Sequence, residues 1–237
     1  MLDRIHTIKN GCSFDLADEH TLEHDILPQL GLYKRKDQFP TALHEYTQDK
    51  DGLRSWQWPI QFAKYLPFLI NYRIESYLEI GTKTGGTFII TIEYLKRFND
   101  FKYADGIDID EFDLIKEYTK ENPYCKFHKM DTQTQAFKDF IACKTYDLAF
   151  IDGSHVYGSV TSDFYNIKDK AKIIVFHDIV SDKTKGVVQA YNEIKEKYKD
   201  TYTFHEFTDQ YEDDSIRFKL MGIGVMVPKD LRPHCND

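Results

Sequence analysis

From residue 76 onward the hydrophobic positions follow two alternating periods. Short apolar runs rich in Ile, Val, Phe and Tyr predict strands at 76–80, 103–108, 126–130, 146–151 and 171–176. The longer stretches between and after them predict helices at 87–98, 112–120, 134–141, 156–169 and 184–199. Two last runs, 201–207 and 216–227, read as a closing hairpin. Regular strand–helix alternation of this kind predicts an α/β fold with a parallel sheet covered on both faces. Just upstream, Ile60, Phe62, Ala63, Leu66, Phe68, Leu69 and Ile70 fit a buried helix that Pro59 can open. Residues 1–52 are polar and weakly periodic, which divides the chain into an N-terminal extension (1–52) and an α/β domain (53–237).

The first strand runs directly into glycines. Residues 77–86 read YLEIGTKTGG, and the second strand ends at Asp108 in GIDID (106–110). Glycines let a backbone approach a ligand closely, and an acidic side chain at the next strand end can take ribose hydroxyls. A dinucleotide turn would read G-x-G-x-x-G and wrap a pyrophosphate. The pattern here is E-x-G-x-x-x-G-G, and Glu79 would repel a pyrophosphate. It suits a ligand carrying an ammonium group and a positive sulfur, S-adenosylmethionine (SAM). Nearly every later strand also ends in a polar group: Asp131, Asp152, and His177 with Asp178. Each alone could be a helix N-cap; together they describe one ligand-binding edge. His155, three residues past Asp152, is a candidate general base because imidazole titrates near neutral pH. A metal ligand and a structural histidine are the alternatives there. Tyr157 and Asp163 read as supports of the loop and the following helix.

The glycine motif resembles the first motif of class I SAM-dependent methyltransferases. FIDGSHVY (150–157) with FHDI (176–179) resembles the family that includes bacterial sugar O-methyltransferases and cephalosporin hydroxylase-like proteins. The resemblance spans residues 53–227. It implies a Rossmann-like, seven-stranded class I methyltransferase sheet with helices on both faces and the last strand inserted antiparallel, plus an N-terminal helical extension acting as a substrate cap. It also implies that Gly81 and Gly85 pass the methionine arm, Asp108 takes the ribose diol and Asp131 sits beside the adenine. Glu79, Thr82, Ile109, Thr132 and Asp152 complete the cofactor set. Several members bind a divalent cation at the ends of strands four and five. Asp152 and Asp178 match those positions, and His177 stands where some relatives carry a carboxylate. Such a set suits Mg²⁺, with the histidine favouring Mn²⁺, and the ion would lower the pKa of an acceptor hydroxyl. The implied activity is O-methylation of a sugar, nucleotide-sugar or glycan. A catechol-like small-molecule enzyme and a nicotinamide-dependent oxidoreductase are the alternatives.

Composition narrows the partners. A net charge of -8 over 237 residues argues against nucleic acid. No apolar run approaches a membrane span, and the first residues lack a secretory apolar core. Cys12, Cys125, Cys143 and Cys235 form no C-x-x-C pair, so neither a metal knuckle nor a disulfide framework is expected. The reading is a protein of the reducing cytoplasm whose partner is a small-molecule or glycan acceptor. Oligomeric state stays open, a homo-oligomer included. His20 and His24 would share a helix face, read as solvated because further zinc ligands are lacking. Trp56 and Trp58 are either a ligand platform or core packing. The tip at 209–215 and the extension would shape the acceptor pocket.

Overall fold

The computed structural model describes residues 2–234; Met1 and Cys235 lie outside the described residues. Short helical segments open the chain: α1 (His6–Asn10), α2 (Ser13–Ala17) and α3 (Glu19–Thr21), the last running into a π turn at Leu22–Ile26. Asp18 caps α3 by accepting from the Thr21 N–H at 2.8 Å. Then come α4 (Pro59–Ile70), β1 (Ser76–Ile80), α5 (Gly86–Phe98), β2 (Tyr103–Asp108), α6 (Asp113–Glu121) and β3 (Cys125–Lys129). The second half continues with α7 (Gln135–Ala142), β4 (Tyr146–Ile151), α8 (Tyr157–Ile167), β5 (Ala171–His177), α9 (Lys185–Tyr198), β6 (Tyr202–Phe207) and β7 (Ile223–Pro228).

The strands form one seven-stranded sheet in the order β3-β2-β1-β4-β5-β7-β6. Strands β1 to β5 pair in parallel, and β7 lies antiparallel between β5 and β6. The chain moves outward from β1 through β2 to β3, then returns to place β4 on the other side of β1. That reversal opens a crevice beyond the carboxyl ends of β1 and β4, where open α/β sheets hold ligands.

Strand periodicity divides the core. In β4, Leu148 and Phe150 pack on one face with residues of α4, α5 and α6, whereas Ala149 and Ile151 pack on the other with α7, α8 and α9. Side chains alternate across a strand, so a sheet covered on both faces must be apolar at consecutive positions. Burying a side chain such as Phe150, wholly excluded from solvent, stabilises the fold by roughly 2–3 kcal/mol. The extension joins this core: Ile5, Ile8, Leu16, Leu22, Ile26 and Leu30 are buried in the same cluster as α4 and α5.

The hairpin departs from the pattern reading. The apolar run from Ile216 predicts an early start, yet β7 begins at Ile223. Met221 (φ 60) and Gly222 (φ 98) take left-handed backbone that cannot continue a strand. His20 and His24 are exposed, with ring centroids 4.4 Å apart, as a solvated face requires.

Candidate active site

A cavity of about 770 Å³ lies over the crevice between β1 and β4. Its floor is the turn after β1. Gly81 has φ 88, and a Cβ there would press into the Asp152 carbonyl, so only glycine lets the two strand ends meet so closely. Gly81 N–H donates to the Ile107 carbonyl (2.8 Å) and Asp152 N–H to the Ile80 carbonyl (2.8 Å), pinning the turn to both neighbours. Thr82 lines the cavity, and its buried hydroxyl has no partner. Asp108 closes the end of β2. One carboxylate oxygen accepts from Lys83 N–H (2.7 Å) and the other from Asp110 N–H (3.0 Å), which fixes the carboxylate and leaves each oxygen a further lone pair. Ile109 stands 63% exposed at the cavity, a flat apolar surface beside Asp131 and Thr132. Asp131 is not the cap of α7. That position belongs to Thr134, while Asp131 holds its own turn by accepting from Gln133 N–H at 2.9 Å.

Gly81, Thr82, Asp108, Ile109, Asp131, Thr132, Asp152, His155, His177 and Asp178 thus share one cavity. Two residues expected beside them do not line it. Glu79 follows Tyr77 on the face packed by α4 and α5, and it is only 1% exposed. Burial holds its carboxyl well above the usual carboxylate range, and the Tyr77 hydroxyl donates to it at 2.5 Å. Gly85 sits behind the turn against Ile115, at the start of α5. The tryptophans divide. Trp58 is wholly buried and donates to the Gln38 carbonyl (2.7 Å), whereas Trp56 lines the cavity, stacked on Tyr33 at 4.2 Å.

Four titratable groups meet at the ends of β4 and β5. His177 Nδ1 lies 3.0 Å from an Asp152 oxygen. His155 Nε2 lies 3.5 Å from Asp178 and 3.7 Å from Asp152. Asp178 takes φ 63, an unusual backbone for a non-glycine residue at a strand end. Burial opposes the charge on His177, but the carboxylates of Asp152 and Asp178 outweigh it and raise its pKa to about 9. Burial likewise opposes charge on Asp152, and His177 and His155 overcome it, lowering its pKa. His155 is raised chiefly by the Asp152 carboxylate beside it, which makes its ring a stronger proton acceptor. Among the described residues no group of three or more His, Cys, Asp or Glu is arranged to hold a metal ion.

The sequence left several lining residues unnoticed. Tyr33 and Gln38 come from the extension, Arg54 from the segment before α4, Lys183 from the loop after β5, and Leu220 and Met221 from the approach to β7. Nothing in their spacing marks them; only tertiary packing brings them together. The tip at 209–215 does not line the cavity. It clasps α4 and the extension instead: Tyr211 accepts from Ile60 N–H (3.0 Å) and Asp213 from Thr41 N–H (2.6 Å).

Residues 78–179 match a family model described as "Methyltransferase domain". Over that stretch the chain resembles a methyltransferase domain. Two of the solved structures similar to this chain, at TM-score 0.50 or above, share its fold. The cofactor-bound Rv0187 from MTB has TM-score 0.51 and 13% identity, over 69% of this chain and 78% of that one. The MycE methyltransferase of the mycinamycin biosynthetic pathway, in complex with Mg, SAH and mycinamycin VI, has TM-score 0.50 and 15% identity, over 74% and 50%. The O-methyltransferase TomG of Streptomyces achromogenes, in complex with SAM, has TM-score 0.49 and 14% identity, over 68% and 77%. No curated protein matches this chain in sequence. No helix among its described residues is long and apolar enough to cross a membrane.

Asp163, under the cavity wall, is a device of the fold. It is 1% exposed and accepts from the Gln133 amide at 3.0 Å. Burial raises its carboxyl to about 6 from 3.8. A raised acid binds its proton more tightly when folded. The stability it contributes is therefore full below the unfolded value and is lost as pH rises through about 6. Asp163→Asn keeps the acceptor without the charge. We expect it to be more stable than wild type by about 2–3 kcal/mol above pH 7, and the gain to vanish near pH 4. Melting curves of both proteins across that range check this; a difference independent of pH would refute it.

Proposed function

We propose that this enzyme transfers the methyl group of SAM to a hydroxyl oxygen of a sugar, nucleotide-sugar or glycan. The observation that carries the reading is one cavity lined by the glycine turn and Asp108 as well as by an imidazole among carboxylates. Asp108 would accept the ribose diol on the lone pairs its backbone contacts leave free. Ile109 would cover the adenine face, with Asp131 and Thr132 at its edge. The methionine arm would run over Gly81 and Thr82 towards Asp152. Trp56 and Tyr33 would give a sugar ring a flat apolar wall, so residues 1–52 serve as a substrate cap through Tyr33 and Gln38. Free thiols at Cys12, Cys125 and Cys143 suit a reducing cytoplasm.

In the transfer, an acceptor oxygen attacks the methyl carbon as the carbon–sulfur bond breaks, and its electron pair returns to sulfur. The hydroxyl proton passes to His155. With Nε2–H turned towards Asp152 and Asp178, Nδ1 is free to accept it. Much of the acceleration in such a displacement comes from alignment.

A second reading adds Mg²⁺ or Mn²⁺ on Asp152, His177 and Asp178. The observation favouring it is His177 Nε2, buried in the cavity wall with no hydrogen-bond partner. The donor types suit such an ion, although binding would replace the present His177–Asp152 contact.

Calorimetric titration with S-adenosylhomocysteine tests the cofactor reading. Wild type should bind, and Asp108→Ala should bind about 100-fold more weakly, as expected for two hydrogen bonds to a charged group. Absence of binding by wild type, or equal binding by both proteins, would overturn it.

A further inference from the structure

Residues 53–57 cross the floor turn outside any helix or strand, tied to the extension through Ser55. Leu53 N–H donates to the Leu30 carbonyl (2.6 Å), Ser55 N–H to the Gly31 carbonyl (3.0 Å), and Leu32 bridges Ser55. Ser55 and Gln57 are buried, while Arg54 and Trp56 reach the cavity. The contact with the turn is tight. A Cβ on Gly86 would come within 2.5 Å of the Leu53 carbonyl and 2.6 Å of Ser55 N, so α5 can start against this segment only with glycine there. The Thr84 hydroxyl donates to the Arg54 carbonyl (3.3 Å).

We propose that Arg54 binds the carboxylate of the cofactor's methionine arm, so that the segment ahead of the sheet completes the cofactor site. This rests on the cofactor reading above. With Asp108 holding the ribose, the methionine arm would run along Gly81 and Thr82 towards the Thr84–Gly86 end of the turn, against which the Arg54 backbone packs. Three long cations line the cavity. Lys83 lies over the Phe112 ring, and Lys183 lies between Asp37 (3.9 Å) and the Phe218 ring. Arg54 donates only to the Lys50 carbonyl (3.3 Å) and has no carboxylate at ion-pair distance among the described residues. Its backbone takes φ 58, a conformation that a non-glycine residue keeps only when its surroundings impose it. The amino end of α5 points at the same place with its positive dipole. Thr82 adds a buried hydroxyl without a partner. A guanidinium, a helix start and an unpaired hydroxyl are complementary to a carboxylate.

The test compares two ligands that differ only at that carboxylate: S-adenosylhomocysteine and S-adenosyl-3-thiopropylamine. Arg54→Gly removes the guanidinium and tolerates the left-handed backbone, and Arg54→Gln removes the charge while keeping a side chain. Both variants should bind S-adenosylhomocysteine at least 10-fold more weakly than wild type. Both should bind the carboxylate-free analogue within twofold of wild type, and Arg54→Lys should recover part of the loss. Unchanged affinity for S-adenosylhomocysteine, or an equal loss for both ligands, would overturn the assignment of Arg54 while leaving the cofactor reading intact. If wild type binds neither ligand, both fall.

Discussion

Gly81→Ala is expected to lower the melting temperature by about 10 °C and to abolish cofactor binding. At φ 88 an alanine pays the left-handed penalty of about 1–2 kcal/mol. Its Cβ also meets the Asp152 carbonyl and the Gly153 Cα. Both are backbone, so no side chain can swing aside, and overpacking of this kind costs roughly 1–3 kcal/mol more. Relief would require β1 to part from β4, which the Asp152 N–H to Ile80 carbonyl bond opposes. Gly158→Ala is the control. It lies in α8 with nothing within 4 Å of the added Cβ, so there the change should be neutral or should stabilise by up to about 1 kcal/mol. Calorimetric melting of both variants decides: a Gly81→Ala midpoint within about 2 °C of wild type would show that the turn can relax.

How much of this site could be read from the chain follows from which interactions are local. The glycine turn, Asp108, Asp131 and Asp152 were legible because they sit where an apolar run ends, and strand ends gather at one edge of a parallel sheet. Glu79 is different: it is buried and does not line the cavity. Its position in the motif is local, but the burial of its side chain, with Tyr77, under α4 and α5 depends on tertiary packing. The late start of β7 reflects backbone conformation at Met221 and Gly222, which an apolar run conceals. Tyr33, Gln38 and Arg54 could not be read at all. They enter the cavity because the extension is buried into the same core as α5 and is clasped by Tyr211 and Asp213 from the far end of the chain. The residues proposed for the acceptor, and Arg54, are therefore products of long-range packing, whereas the strand-end residues proposed for the cofactor come from local pattern.

His155→Ala should separate these two sides. His155 is 46% exposed in the cavity and contacts none of the groups placed on ribose or adenine. Its loss should leave affinity for S-adenosylhomocysteine within about threefold while kcat falls by roughly 10²- to 10⁴-fold, the usual contribution of a positioned proton acceptor. The assay follows S-adenosylhomocysteine release on an acceptor found by screening sugars and nucleotide-sugars. A variant with kcat within threefold of wild type would remove His155 from the chemistry. A chelator distinguishes the two ways of activating the hydroxyl. If His155 with Asp152 and Asp178 suffices, EDTA leaves the wild-type rate unchanged. If a cation on Asp152, His177 and Asp178 acidifies the hydroxyl, EDTA abolishes the rate and Mg²⁺ or Mn²⁺ restores it. In that second case His155→Ala would cost less, because a hydroxyl already acidified by the ion can surrender its proton to water.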